Sequence, residues 1–349
     1  MSRDTTPARG RAPAAALLTA LALIGCAEEP EPATAPPKSA FADALGTVAS
    51  GNLPVSTGFG WVDVSALRAS RPTHEDLRSI AGALGPGGGD LLTERAAIER
   101  RTGVDPFDTE QLLSVAASFT TGVRLDGVRV GEVERALRAT EPRGDRDGWR
   151  LFDTGATGTI PLGTKLAVFG ALGARLAVRE DSLILARTDQ ARSNLLEVGH
   201  PPLDDPAVRL ALACLGEVRA ARIVPNNFTH LPNTGAELLA FGVRGSSPAT
   251  PREALCVVDA SEEEIEAHAG AMREALAPDA RDAVTGEPIA QLLADVEVAT
   301  LQEGETFAAR ATLTPLGQGA SGFLFGAFDR GSLLTYIGLA PPPGGETSP

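Results

Sequence analysis

Cys26, Cys214 and Cys256 are the thiols of this chain, and His74, His200, His230 and His268 are its imidazoles. With the carboxylates, these are the groups that could ligate a metal, act as a general base or attack a carbonyl. Metal-binding motifs need such groups close together, as in HExxH or HxH, or cysteines in tight pairs. None of the four histidines has a partner at that spacing, and Cys214 and Cys256 lie far apart in sequence. No metal site and no cofactor are therefore expected. His268 falls on the polar flank of a helix over Ser261–Leu276 and is expected to be solvated. The strained Gly-x-Ser-x-Gly elbow of a nucleophilic serine is absent. Its nearest approach, Gly319-Ala-Ser-Gly322, lacks the strand before and helix after, and reads as a flexible turn ahead of the last helix. The chain has 45 acidic residues, and the densest groups, Glu262-Glu263-Glu264 and Asp204-Asp205, stand where a helix dipole favours them. No catalytic residue is assigned.

The two later cysteines read differently once the compartment is considered. In an exported chain an even pair of thiols is expected to form a bridge, which would contribute roughly 4 kcal/mol in the chain-entropy model. Two buried free thiols are the other reading. Alternation along Ala254-Leu255-Cys256-Val257-Val258 puts apolar residues on both faces. This predicts a central strand covered on two sides, with Cys256 facing the apolar helix that follows Asp205. The longest loop of this region, Asn226 to Gly235, is a candidate position for binding groups.

The elements around these residues predict an α+β fold with mostly antiparallel sheets and packed helices. Gly58 to Ser65 alternates as a first strand. Thr73-His-Glu-Asp76 opens a helix, Gly85-Pro-Gly-Gly-Gly89 turns it, and Asp90 caps a second helix to about Arg101. A short helix over Asp108–Leu113 and a strand over Ser114–Arg124 follow, then a helix at Glu132–Arg138 and a strand at Trp149–Thr154. A hairpin spans Arg175–Arg187, and Asp189 opens a helix. The second half repeats the order, with strands at Glu237–Arg244 and Ala254–Asp259 and a capping-box helix from Ser261. A hairpin turns at Glu303-Gly304, and one closing helix is read over Phe323–Ile337. A diverged duplication and ordinary α+β patterning both account for the shared order. The predicted organisation is residues 41–200 and 201–340 as two α+β halves, followed by a disordered tail, 341–349.

The first 40 residues carry the clearest signal. Arg3, Arg9 and Arg11 precede an apolar run from Ala14 to Ile24, too short to cross a bilayer core of roughly 30 Å. The run ends in Leu23-Ile24-Gly25-Cys26, which resembles the lipobox of bacterial lipoproteins. That resemblance implies a signal peptide over 1–25, a diacylglyceryl thioether on Cys26 and a chain anchored on the extracytoplasmic side of the cell membrane. An ordinary secretory signal with an incidental cysteine is the alternative. Residues 26–40 read as a Pro-rich tether of at most about 40 Å. Phe59-Gly-Trp-Val-Asp-Val-Ser-Ala-Leu-Arg68, Gly103-Val-Asp-Pro-Phe-Asp108 and Ala213-Cys-Leu-Gly216 resemble segments of uncharacterised actinobacterial lipoproteins, a resemblance that brings no activity with it.

Charge narrows the partners. Removing residues 1–25, with three Arg and one Asp, takes the net charge from −14 to −16. Such a chain has no electrostatic attraction to nucleic acid or to anionic headgroups. Lys38 and Lys165 are its lysines, so nearly all of its 31 basic residues are Arg. The leading expectation is a lipid-anchored ectodomain that binds an envelope protein or a small apolar ligand without catalysis. A lipid carrier with an internal apolar cavity and an envelope hydrolase are the alternatives. A closed apolar cavity would favour the carrier, a cleft of converging His and carboxylates the hydrolase, and a filled surface the partner-binding protein.

Overall fold

Nearly every strand of this protein carries apolar side chains on both faces, and a sheet of that kind must be covered twice. The computed structural model describes residues 38–49, 57–85, 87–117, 120–137, 140–196, 201–225, 236–245, 251–316 and 322–339. Its strands are β1 (Thr57–Asp63), β2 (Gln111–Ala117), β3 (Thr120–Asp126), β4 (Gly144–Arg146), β5 (Trp149–Asp153) and β6 (Arg175–Arg179). They continue with β7 (Ser182–Ala186), β8 (Val218–Pro225), β9 (Leu238–Arg244), β10 (Arg252–Asp259), β11 (Leu293–Glu303) and β12 (Thr306–Pro315). Among the described residues these form one 12-stranded sheet in the order β11-β12-β10-β9-β8-β1-β2-β3-β7-β6-β5-β4. Every neighbouring pair is antiparallel, so the fold is α+β as expected.

The helices are α1 (Ala40–Leu45), α2 (Val64–Ala69), α3 (His74–Ala81), α4 (Asp90–Thr93), α5 (Arg95–Thr102) and α6 (Val130–Leu137). After them come α7 (Asp189–Leu196), α8 (Pro206–Leu215), α9 (Glu262–Ala275), α10 (Ile289–Leu292), α11 (Phe323–Arg330) and α12 (Ser332–Tyr336). One face of the sheet is covered by α2 to α6 and α9 to α12, over a core that includes Val62, Leu112, Phe241, Leu255 and Val257. The other is covered by α1, α7 and α8, over Phe59, Trp61, Val115, Ile223, Cys256 and Val258. Strict alternation along β1 and β10 thus feeds two separate cores.

Read outward from the β1–β8 pair, the two sides share an order. The first gives β1-β2-β3-β7-β6 and the second β8-β9-β10-β12-β11. In each, three strands meander, a helix (α6 or α9) crosses the same face, and a hairpin returns to pair its second strand with the third of the meander. A diverged duplication requires such a shared order. The first side alone adds β4 and β5 at its edge.

Local chemistry accounts for most element boundaries. Thr73 and Asp76 form the reciprocal capping box of α3, with Asp76 N–H donating to Thr73 Oγ1 at 3.1 Å and Thr73 N–H to Asp76 Oδ2 at 2.8 Å. Ser261 Oγ accepts from Glu264 N–H at 3.3 Å, but the Ser261 N–H goes to Asp259 Oδ1 at 2.7 Å, not to Glu264. Several expectations need correction. Asp108–Leu113 is not helical: a 3-10 turn covers Pro106–Asp108 and β2 begins at Gln111. The strand expected over Ser114–Arg124 is part of two strands, β2 and β3. The second helix from Asp90 is broken at Glu94 into α4 and α5. The closing helix is also two, because Gly331 (φ 83°) takes a left-handed conformation between α11 and α12. The expected tail, 341–349, lies outside the described residues. No described helix is long and apolar enough to cross a membrane.

The closest packing lies at the centre of the sheet. A Cβ on Gly60 would stand 2.0 Å from the Ala83 carbonyl oxygen and 2.5 Å from Ser114 Oγ, because the 3-10 turn Gly82–Leu84 crosses β1 there. We predict that Gly60→Ala lowers stability by at least about 2 kcal/mol in a urea melt, the range of backbone-displacing overpacking. Gly270, exposed within α9 with nothing near its Cβ position, is the control. Gly270→Ala should hold or raise the midpoint by up to about 1 kcal/mol.

Candidate functional site

The expected bridge is present: Cys214 and Cys256 are joined, with Cα atoms 6.2 Å apart and a sequence separation of 42. Asp205 starts α8 by accepting from Ala207 N–H at 2.8 Å, with Pro206 in the first turn. The helix then runs to Leu215, placing Cys214 over β10 on the face opposite α9. Both sulfurs are fully buried. Redox exchange needs an exposed thiolate or an accessible sulfur, so this bridge pins α8 to the sheet and does no chemistry.

Among the described residues the histidines do not converge. His74 is exposed on α3, with its Nδ1 3.4 Å from Arg78 Nη2. His200 and His230 lie outside the described residues, as do the Asn226–Gly235 stretch and Gly319-Ala-Ser321. His268 corrects the expectation of a solvated side chain. It is 6% exposed, and its Nδ1–H donates to the Ile337 carbonyl at 2.8 Å where the chain leaves α12. Its Nε2 is buried without a hydrogen-bond partner. The sequence signal that could have found this is the apolar Leu333-Leu334 and Tyr336-Ile337 run, which needs a surface to cover and takes that flank of α9.

Buried ionisable groups instead serve the backbone. Glu253, on β10, is 0% exposed. It accepts from Gly322 N–H at 2.6 Å and Phe323 N–H at 2.9 Å through Oε1, and from Leu324 N–H at 2.7 Å through Oε2. A strand side chain thus caps α11 in place of a local cap residue. Burial pushes this carboxyl up to about 7, against the three backbone donors and the Arg219 charge that favour ionisation. Asp282 accepts from Val284 N–H at 3.0 Å, Thr285 N–H at 2.6 Å and the buried Tyr336 hydroxyl. Burial and then the Asp282 hydrogen bond raise the Tyr336 phenol far above its ordinary range. Arg222, buried on β8, donates to the Gly82 carbonyl at 3.2 Å and lies 4.7 Å above the Phe328 ring; burial lowers its pKa to about 10. None of these residues lines either of the clefts described next.

Open clefts lie elsewhere among the described residues. One, of about 110 Å³, lies beside α5 and is lined by Glu99, Asp105, Asp108 and Arg129. The other, of about 480 Å³, runs between α6 and β5, with Leu137 and Phe152 apolar and an ion pair of Glu134 with Arg150 at its side. Neither brings a histidine to a carboxylate, and among the described residues no group of His, Cys, Asp and Glu could hold a metal ion.

The residues sequence reasoning missed are apolar ones. Among the described residues four large apolar side chains stand exposed, and two share one loop tip: Ile160 at 50% and Leu162 at 82%. The loop, between β5 and the 3-10 segment Lys165–Ala174, is firmly held. Buried Arg175 donates from Nη1 to the Gly155 carbonyl at 2.6 Å and from Nη2 to Thr157 Oγ1 at 2.8 Å. Gly158 N–H donates to the Arg187 carbonyl at 2.7 Å, and Thr164 Oγ1 caps the segment that follows through Leu166 N–H at 3.2 Å. The tip is therefore presented, not packed. A stretch from Thr154 to Ala174 with Lys165 as its one charge was the available signal.

Two measurements test the buried groups. Replacing Cys214 and Cys256 by alanine should lower the urea midpoint by the equivalent of up to about 4 kcal/mol. For Glu253 the folded state holds its proton more tightly than the unfolded chain. Stability should therefore fall as pH rises from about 4.5 to about 7, by no more than about 3 kcal/mol. Glu253→Gln, which keeps an acceptor and cannot ionise, should flatten that part of the stability–pH curve. No protein-family model matches this chain, and no curated protein does. Among solved structures, crystal form IV of TP0453 aligns over 81% of this chain and 95% of that chain, at 11% identity and a TM-score of 0.37. A likeness of that size carries no argument about function.

Proposed function

We propose that this protein is an extracytoplasmic lipoprotein, held to the cell membrane by a lipid on Cys26, whose ectodomain binds by its surface and without catalysis. The observation that carries the reading is the division of labour among three cysteines. Cys214 and Cys256 are bonded to each other, as befits a disulfide-permissive compartment. That leaves Cys26 alone, directly behind an apolar run and an Arg-bearing head. Surface binding is supported by the loop tip at Ile160 and Leu162, exposed on a rigid base. It is supported also by buried Glu253, Asp282, Arg192 and Arg222, which hydrogen-bond to helix ends, turns and backbone carbonyls.

Metabolic labelling with a fatty-acid probe tests the anchor. The wild-type chain should take up label and lose residues 1–25. Cys26→Ser should take up none and stay uncut between Gly25 and Cys26; continued labelling of that variant would overturn the assignment.

A further inference from the structure

We propose that the loop tip Ile160-Pro161-Leu162 seats in the headgroup region of the bilayer to which the chain is tethered; this rests on the lipoprotein reading above. Leu162 is 82% exposed and Ile160 50%, and exposed aliphatic side chains are unfavourable in water by about 25 cal/mol per Å². A flexible loop could relieve this by folding back. This one cannot, because Arg175, itself only 7% exposed, clamps Gly155 and Thr157 while donating to Asp189 Oδ2 at 3.1 Å from Nε. Gly158 N–H is fixed to the Arg187 carbonyl, and Thr164 N–H to that of Pro161. The side chains point outward from a base that holds its shape.

The nature of the occupant follows from charge and reach. From Thr154 to Ala174 the chain carries no acid and one base, whereas 22% of the whole sequence is charged. A protein partner recognised through ion pairs has little to grip there. A bilayer interface accepts such a tip, taking apolar side chains into its acyl boundary and lysine ammonium groups among its phosphates. Lys165 is exposed at the foot of the tip, and the chain's other lysine, Lys38, is exposed where the tether meets the folded part. Between Cys26 and Lys38 the chain spans at most about 40 Å, at roughly 3.5 Å per residue. The anchored domain thus meets the membrane at high effective concentration, and a contact too weak to recruit the domain from solution suffices to orient it. Because the remainder of the surface is acidic, the favoured surface is zwitterionic, and anionic lipid should weaken the contact.

The test uses the full-length protein, expressed with its signal and reconstituted into phosphatidylcholine vesicles. Leu162→Cys introduces the one free thiol, since Cys214 and Cys256 are bonded and Cys26 is acylated; it is labelled with an environment-sensitive fluorophore. Thr300→Cys, exposed on the edge strand at the other end of the sheet order, is the control. Emission at position 162 should shift to the blue and be quenched by spin-labelled lipid roughly twofold more than at 300, as for a group about 5–10 Å into the headgroup–acyl boundary. Solvent-like emission at both sites, from protein that carries the acyl label, would overturn the bilayer contact and leave the anchor standing. A blue shift at 162 that lipid quenchers do not touch would also overturn it, in favour of a protein contact or a second copy. Absence of acyl label on the wild-type chain would overturn the anchor, and the contact with it.

Discussion

Four residue pairs, from Phe59 opposite Ile223 to Val62 opposite Ala220, join the two sides of the sheet. Among the described residues nothing else in the strand order links β1–β7 to β8–β12. At that junction β1 must be apolar on both faces, since helices cover it above and below, and it must also admit a crossing turn. β1 meets all three demands in sequence: Phe59 and Trp61 face one core, Val62 the other, and Gly60 leaves room for the turn at Ala83. Trp61 also receives Phe41 of α1 in a stacked contact at 5.7 Å, so the first helix of the folded part closes on the centre of the sheet. With the centre closed, exposure falls to the edges. There β4 is three residues long and fully exposed, and β11 sets Asp295 and Glu297 outward, features that discourage edge-to-edge pairing.

A sheet buried on both faces leaves little room for ionised groups, because an unpaired buried charge is far costlier than an unpaired exposed one. Two buried carboxylates are accordingly matched to groups the fold leaves unsatisfied. Glu253 takes three N–H groups at the start of α11, and Asp282 takes two in the turn before α10. This is why the plentiful carboxylates yield no visible acid–base pair: the ones in protected positions are committed to the backbone. His268 is similarly committed through Nδ1 to the end of α12.

How far the sequence disclosed this structure depended on which signal each element carried. The faces of β10 and the pairing of Cys256 with the helix after Asp205 were legible, because alternation and a capping Asp are local signals. The β2–β3 hairpin was not. Leu112, Leu113, Ser114, Val115 and Ala116 are buried in succession, so no period of two appears. β8 was missed for a related reason: Arg219 and Arg222 interrupt its apolar pattern, yet both are buried, Arg222 beneath Phe328 of α11 and against the Gly82 carbonyl. The break at Gly331 and the burial of His268 are tertiary outcomes, set by how α12 turns back onto α9. The candidate contact at Ile160 and Leu162 was legible in principle as a nearly charge-free stretch, but only the clamping by Arg175 distinguishes a presented tip from a buried one.

On the face covered by α1, α7 and α8, the two sides of the sheet solve one problem by different chemistry. Helix α8 lies over β9, β10 and β12, and α7 over the corresponding β2, β3 and β7. Each must be held against a sheet built largely of small side chains such as Ala177, Ala221, Ala240 and Ala254, whose individual burial contributes little. In the second half a covalent bond supplies the missing attachment. In the first half Arg192 of α7 reaches across the sheet edge, donating from Nη1 to the carbonyls of Phe152 at 3.1 Å and Leu176 at 3.2 Å and to Asp153 Oδ1 at 2.9 Å. Burial alone would raise the Asp153 carboxyl, but the Arg143 hydrogen bond and the charges of Arg192 and Arg175 outweigh it and hold it below the ordinary range. The two attachments therefore answer to different conditions. The disulfide is indifferent to pH and yields to reduction. The arginine clamp is indifferent to reduction and weakens as acid protonates Asp153, since a carboxyl held low stabilises the fold only while it is ionised. Acid and reductant therefore act on different halves, and under either stress alone one half stays tied.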